Sequence, residues 1–197
     1  MSKKELSFQD FVVMILDVLK KSGIDYMIGG AIAVWPWGEP RSTQDVDLVI
    51  HLKAEQVGKL STELEKVEIY LPPDIIMENL IDTRGDLPIN AIHGFSGYKA
   101  EMFLMREEDA LRKTAFSRRV SVDFGDEIGR VYVHSPEDII LYKLIYYSLS
   151  QQSKHIRDIA SIMKIKGGDL DYDYIRKWAV EKELMDLWND IWDEVGL

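Results

Sequence analysis

The sequence predicts an α+β protein in which short strands fill the first two thirds of the chain and helices make up the last third. Three observations carry this. Short β-prone runs separated by glycine- and proline-bearing turns extend from residue 25 to residue 134. Beyond that point apolar residues recur at helical three-and-four spacing. The change is marked by Ser135-Pro-Glu-Asp138, which sets an N-cap, a first-turn proline and two acids at the positive end of a new helix. The chain therefore divides into residues 1–134 and residues 135–197.

Taken in order, Ser7 and Asp10 form a capping box, and Phe11, Val12, Ile15, Leu16 and Leu19 recur at helical spacing until Gly23. Asp25 to Ile28 is a short strand, Gly29-Gly30 a tight turn, and Ala31 to Trp35 a short helix stopped by Pro36 and Gly38. Asp45 to Leu52 is a strand and Ala54 to Lys66 a helix, after which Pro72-Pro73 is expected to break the chain. Ile89 to His93 and Tyr98 to Met105 flank the loop Gly94-Phe-Ser-Gly97 as a hairpin, and Arg119 to Phe124 pairs with Arg130 to His134 around Gly125-Asp126. In the helical part, Ile139 to Leu149 and His155 to Lys166 are two helices, with one or two more from Leu170 on. Leu184, Leu187, Trp188, Ile191, Trp192 and Val195 form one apolar stripe, so the tryptophans are expected in a core or partner contact rather than against a base.

Composition excludes several classes. The chain has 197 residues, 46% hydrophobic and 29% charged, a globular balance that rules out disorder, collagen-like repeats and a coiled coil. Without cysteine it has no disulfide framework, thiolate zinc site or cysteine nucleophile. The N-terminal apolar run is interrupted by Gln9, Asp10, Asp17, Lys20 and Lys21, unlike a signal peptide, and no run reaches membrane-spanning length. Cytoplasmic localisation with no membrane partner is the expectation. A net charge of -10 opposes non-specific nucleic-acid binding, which relies on a basic surface. The one basic cluster, Arg112, Lys113, Arg118 and Arg119, reads as a solvated helix face. His51, His93, His134 and His155 lack zinc-ligand spacing and read as structural or exposed.

The chemistry concentrates between Gly29 and Ile50. On a strand, residues two apart share a face, so Asp45 and Asp47 converge while Val46, Leu48 and Ile50 point into a core. Two such carboxylates repel each other unless a cation neutralises them, and hard oxygen donors suit Mg²⁺ (or Mn²⁺), which also takes substrate phosphates. Gly29 and Gly30 permit close backbone approach, and amides at the following helix start can hold phosphate oxygens. Arg41 and Thr43, just before the strand, can meet phosphate or orient the carboxylates, although Arg41 suits a surface ion pair equally well. Lys143 lies in a helix apolar on nearly every side and needs a partner there, either a triphosphate or Asp158, unless it snorkels to solvent. Neither a G-x-G-x-x-G dinucleotide turn nor a P-loop occurs.

Gly29-Gly30 followed by Arg41-x-Thr43-x-Asp45-x-Asp47 resembles the signature of the polymerase-beta-like nucleotidyltransferase superfamily, in particular short bacterial and archaeal proteins related to the AbiEii-type toxins. The resemblance continues through Gly97-Tyr-Lys-Ala-Glu101, Phe116-Ser-Arg-Arg119, Ser135-Pro-Glu-Asp138, Lys143 and Lys154-His-Ile-Arg-Asp158, covering roughly residues 23 to 180. It implies a small mixed β-sheet flanked by helices (the nucleotidyltransferase fold), a C-terminal helical part, and a nucleotide between them. It also implies a third metal-binding carboxylate at Glu101, where relatives carry Asp, and supporting roles for Arg157 and Asp158. The implied activity is transfer of an NMP from an NTP to an acceptor hydroxyl on RNA, protein or a small molecule. The protein would be a toxin, or an antitoxin paired with a cognate toxin. The competing reading is a catalytically silent nucleotide-binding or antitoxin-like interaction protein.

Overall fold

The computed structural model describes residues 6–82, 84 and 86–195. The basic start of the chain, including Lys3 and Lys4, lies outside them. Helix α1 (Phe8–Ser22) opens on the Ser7–Asp10 capping box and ends at Gly23, whose φ of 69° is the left-handed geometry that closes a helix. Strand β1 (Asp25–Ile28) follows, then a single 3₁₀ turn (Ile32–Val34) and strand β2 (Asp45–His51). Helices α2 (Val57–Glu65) and α3 (Pro73–Ile81) lead to the hairpin β3 (Ile89–Ile92) and β4 (Lys99–Leu104). Helix α4 (Ala110–Ser117) precedes a second hairpin, β5 (Val120–Asp123) and β6 (Arg130–Val133). The remainder is helical: α5 (Pro136–Ser150), α6 (Ser153–Lys166), α7 (Tyr172–Glu181) and α8 (Met185–Val195).

The six strands form one mixed sheet in the order β3-β4-β2-β1-β6-β5. Strands β2 and β4 run parallel, as do β1 and β6; the other neighbours are antiparallel. Both expected hairpins are present. One hydrophobic cluster joins the sheet to the helices, running from Phe11 and Ile15 of α1 through Leu48 and Ile50 of β2 to Ile139 and Ile140 of α5 and Trp188 of α8. Trp188 is buried and packs against Trp192, which meets Tyr172 edge-on, so these aromatic side chains serve the core. Among the described residues no helix is long and apolar enough to cross a membrane.

Three expectations need correction. Helical residues outnumber strand residues in the first two thirds of the chain. Pro72-Pro73 starts α3 rather than breaking the chain: Pro73 takes a first-turn position, where a missing N–H costs nothing. The basic cluster is not a solvated face. Arg112 is 2% exposed and donates to Asp86 and to Leu104 O, Arg118 lies 4.0 Å over the Tyr174 ring and pairs with Glu137, and Arg119 stacks on Phe116 and Tyr132. Of the four, only Lys113 is largely solvated. The guanidinium groups tie α4 and β5 to the rest of the protein, because a buried cation persists only where acceptors surround it.

Candidate active site

Alternation along β2 buries Val46, Leu48 and Ile50 completely on one face and leaves Asp45 and Asp47 on the other. The parallel register then sets Asp45 opposite Lys99 and Asp47 opposite Glu101. Three carboxylates on two adjacent strands thus share one face of the sheet. Glu101 stands beside Asp47, and burial, followed by the charge of Glu101, raises Asp47 from 3.8 to about 6. Lys99 is the immediate counter-charge: its Nζ donates to Glu101 Oε1 at 2.5 Å and lies 3.7 Å from Asp45 Oδ1. The contact with Glu101 holds the ammonium above its ordinary value.

The Gly29-Gly30 turn is fitted to these carboxylates. The Gly29 amide donates to Asp47 O at 2.8 Å, continuing the β1–β2 pairing, so it is committed to the sheet. Gly30 has φ 58°, and a Cβ there would lie 1.7 Å from Asp47 Oδ2. Only glycine lets the Asp47 side chain lie across the turn. Beneath it, the His134 ring packs against Gly29, with Nδ1 3.3 Å from Ile28 O; complete burial lowers this imidazole to about 3 and keeps it neutral.

Opposite the sheet, α5 and α6 supply the other wall. Lys143 is 2% exposed, and its Nζ lies 2.8 Å from Asp158 Oδ2; burial lowers its pKa while Asp158 opposes the shift. Asp158, itself 2% exposed, also accepts from Arg41 Nε at 3.1 and 3.3 Å. Two cations therefore share one buried carboxylate, which leaves one surplus positive charge beside the three sheet carboxylates. The loop carrying Arg41 is clamped in place. Trp35 Nε1 donates to Arg41 O, the Glu39 amide donates to Ser161 Oγ of α6, and a Cβ on Gly38 would meet that same hydroxyl at 2.5 Å. Thr43 Oγ1 bonds both the N–H and the C=O of Asp45, fixing the start of β2.

Between the two walls lies a cleft of 390 Å³. Of the residues singled out in the sequence, Gly30, Arg41, Thr43, Asp45, Asp47, Glu101 and Lys143 line it together. Asp158 stands behind Lys143 and Arg41, and Gly29 lies beneath the floor. Arg157 is exposed on α6 and does not reach the cleft. The sequence reading assigns no site role to Lys99, Tyr146, Lys154 or His155. His155 is buried and stacks on Tyr146, in keeping with a structural histidine, and it also lines the cleft, where burial lowers it to about 4. Helical spacing puts Lys154 and His155 four and three residues before Asp158, which marks the cleft face of α6 and leaves Arg157 off it.

The donor set suits a hard divalent cation. Asp45 and Asp47 present carboxylate oxygens from one strand face; among the described residues Lys99 is ion-paired to the front of the cluster, and Lys143 acts on Asp47 from the opposite wall. Among the described residues no three Asp, Glu or His side chains are arranged to hold an ion as they stand, and the structure shows Glu101 engaged by Lys99 instead.

No protein-family model matches the sequence, and no curated protein does. Solved structures do match. ANT(2'')-Ia in complex with adenylyl-2''-tobramycin superposes with a TM-score of 0.61 at 16% identity, covering 89% of this chain and 98% of that one. An antigenic nucleotidyltransferase-like protein from Paracoccidioides brasiliensis gives a TM-score of 0.54 at 22% identity over 93% and 91%. The lincosamide antibiotic adenylyltransferase LnuA, lincomycin-bound, gives 0.52 at 14% over 77% and 93%. At these identities the likeness is one of fold: the chain has the α+β nucleotidyltransferase architecture, a mixed sheet with flanking helices.

Proposed function

We propose that the protein is a metal-dependent nucleotidyltransferase that moves an NMP from an NTP to an acceptor hydroxyl. The observation that carries this reading is the register of β2 against β4, which puts Asp45, Asp47 and Glu101 on one face, across a cleft from Lys143 and Arg41. Asp45 and Asp47, with Glu101 beside them, would hold Mg²⁺ or Mn²⁺, which when bound neutralises phosphate charge and polarises the reacting oxygens. Lys143 and Arg41 face the triphosphate with the surplus charge that Asp158 leaves uncompensated, and Gly30 and Thr43 bring backbone and hydroxyl to the same side. In the reaction the acceptor oxygen bonds to the α-phosphorus as the bond to pyrophosphate breaks. Glu101 takes the hydroxyl proton. The clamped loop and the ion-paired helices keep the groups in place, so positioning and charge do the catalytic work. The helical part, residues 135–197, serves as the second wall of the cleft closed by residues 1–134.

The acceptor is a small molecule in this proposal. What supports that choice is that ANT(2'')-Ia was solved with adenylyl-2''-tobramycin and LnuA with lincomycin, and both are spanned almost whole by this chain. A toxin role with an RNA or protein acceptor, and a relation to AbiEii-type toxins, rest on the sequence resemblance. Incubation with each labelled NTP and Mg²⁺, with aminoglycosides, lincosamides and cell extract as separate acceptors, tests the reading by mass spectrometry. A mass gain of one NMP on an antibiotic supports it, and a gain on RNA or protein moves the acceptor to the toxin class. No labelled product and no pyrophosphate with any acceptor would remove the catalytic reading and leave the silent nucleotide-binding one.

A further inference from the structure

Lys99 is a side chain at the site that the proposed reaction does not use. It projects from β4 on the same face as Glu101, opposite Asp45, and its ammonium bridges the gap between the two carboxylates at 2.5 and 3.7 Å. It is 29% exposed, so solvent reaches it only in part. An ammonium hydrogen-bonded to a carboxylate weakens a divalent ion's hold on the same group, because it occupies one of the lone pairs and the two positive charges repel.

We propose that Lys99 is a built-in counter-cation that holds Glu101 in an ion pair and withholds it from free metal, so that the ion enters with the nucleotide rather than before it. This rests on the metal-dependent reading of the site. The ligand-free cluster carries three carboxylates and one ammonium. A bare cation recruits Glu101 against the charge and the hydrogen bond of Lys99. A metal–triphosphate complex brings its own phosphate oxygens and needs only Asp45 and Asp47 at first. The triphosphate also offers the released ammonium a new anionic partner. Lys99 thereby couples metal occupancy to substrate occupancy.

The test is Mn²⁺ binding to the full chain without nucleotide, read by electron paramagnetic resonance of the free ion. An opposite charge within ~4–6 Å changes a carboxylate's affinity for a proton by roughly one to three powers of ten, and the lower end sets the expectation here. Lys99→Met should bind Mn²⁺ at least about tenfold more tightly than wild type, and Lys99→Arg, which keeps the pair, should stay near wild type. The gain must run through Glu101, so it should vanish in Lys99→Met/Glu101→Gln measured against Glu101→Gln. Unchanged or weaker binding in Lys99→Met would overturn the proposal, as would a gain that persists in full without the Glu101 carboxylate. Lys99→Gln substitutes for Lys99→Met should the latter not fold, as judged by circular dichroism. A separate arm isolates the underlying reading: Mn²⁺ binding to wild type with a non-hydrolysable ATP analogue should disappear in Asp45→Asn/Asp47→Asn. If binding persists there, the metal-site reading itself fails; if it disappears while Lys99→Met shows no gain, the role of Lys99 alone is refuted.

Discussion

Asp47 is a carboxylate kept where it is costly, and the cost can be measured. Burial and the neighbouring charge of Glu101 raise it from 3.8 to about 6, which at ~1.4 kcal/mol for each tenfold change in proton affinity corresponds to roughly 3 kcal/mol. The folded-state pKa lies above the unfolded one, so ionised Asp47 destabilises the fold. The penalty is absent below pH 3.8, grows between 3.8 and 6, and is complete above 6. Asp47→Asn removes the charge at nearly constant shape. It should stabilise the ligand-free protein at pH 8 by about 1–3 kcal/mol, a rise in Tm of roughly 2–4 °C per kcal/mol for a chain of this size. The assay is thermal and urea denaturation in the presence of a chelator, at pH 8 and again at pH 4.5. At the lower pH the folded Asp47 is largely protonated while the unfolded one is still mostly ionised, so the advantage of Asn should shrink to about a third. The same variant should lose metal-dependent nucleotide binding. A variant less stable than wild type at pH 8, or equally favoured at both pH values, would refute the argument that Asp47 is strained by its charge.

Three further outcomes follow from the same geometry. Gly30→Ala puts a methyl group where Asp47 Oδ2 now lies, so it should displace that carboxylate and lower kcat/KM by about 10²-fold or more, with circular dichroism unchanged. Asp158→Asn leaves Lys143 and Arg41 with an uncompensated charge in a buried setting and should destabilise the fold by ~3–5 kcal/mol in urea titration. His134 is held near pKa 3 in the folded state against 6.5 when unfolded, so the unfolded chain binds the extra proton in between and stability falls as pH drops below 6.5. Between pH 7 and pH 5 wild type should lose about 2 kcal/mol that His134→Phe does not lose, measured by urea denaturation.

The sequence revealed what depends on local pattern and concealed what depends on pairing across the chain. The capping box of α1, the alternation of β2 and the Ser135-Pro136 start of α5 are local signals, and each element forms where its signal lies. Helix α4 is only eight residues long, and its Arg112 reads as a surface residue. Its burial rests on Asp86, 26 positions earlier, a partner that periodicity does not reveal. The same limit governs the site. Period-two alternation brings Asp45 and Asp47 together from the sequence alone, but whether Glu101 stands beside them depends on β2 and β4 running parallel in one particular register. A shift of one residue would turn Glu101 to the apolar face and bring Ala100 or Met102 to the carboxylates. Family resemblance supplied that pairing where residue pattern could not. Lys99 was legible in principle, because any register that presents Glu101 to the aspartates also presents Lys99, two residues earlier on the same face. The cation and the carboxylate therefore reach the site as one unit, and a strand that offers a third metal ligand here also carries the charge that competes for it.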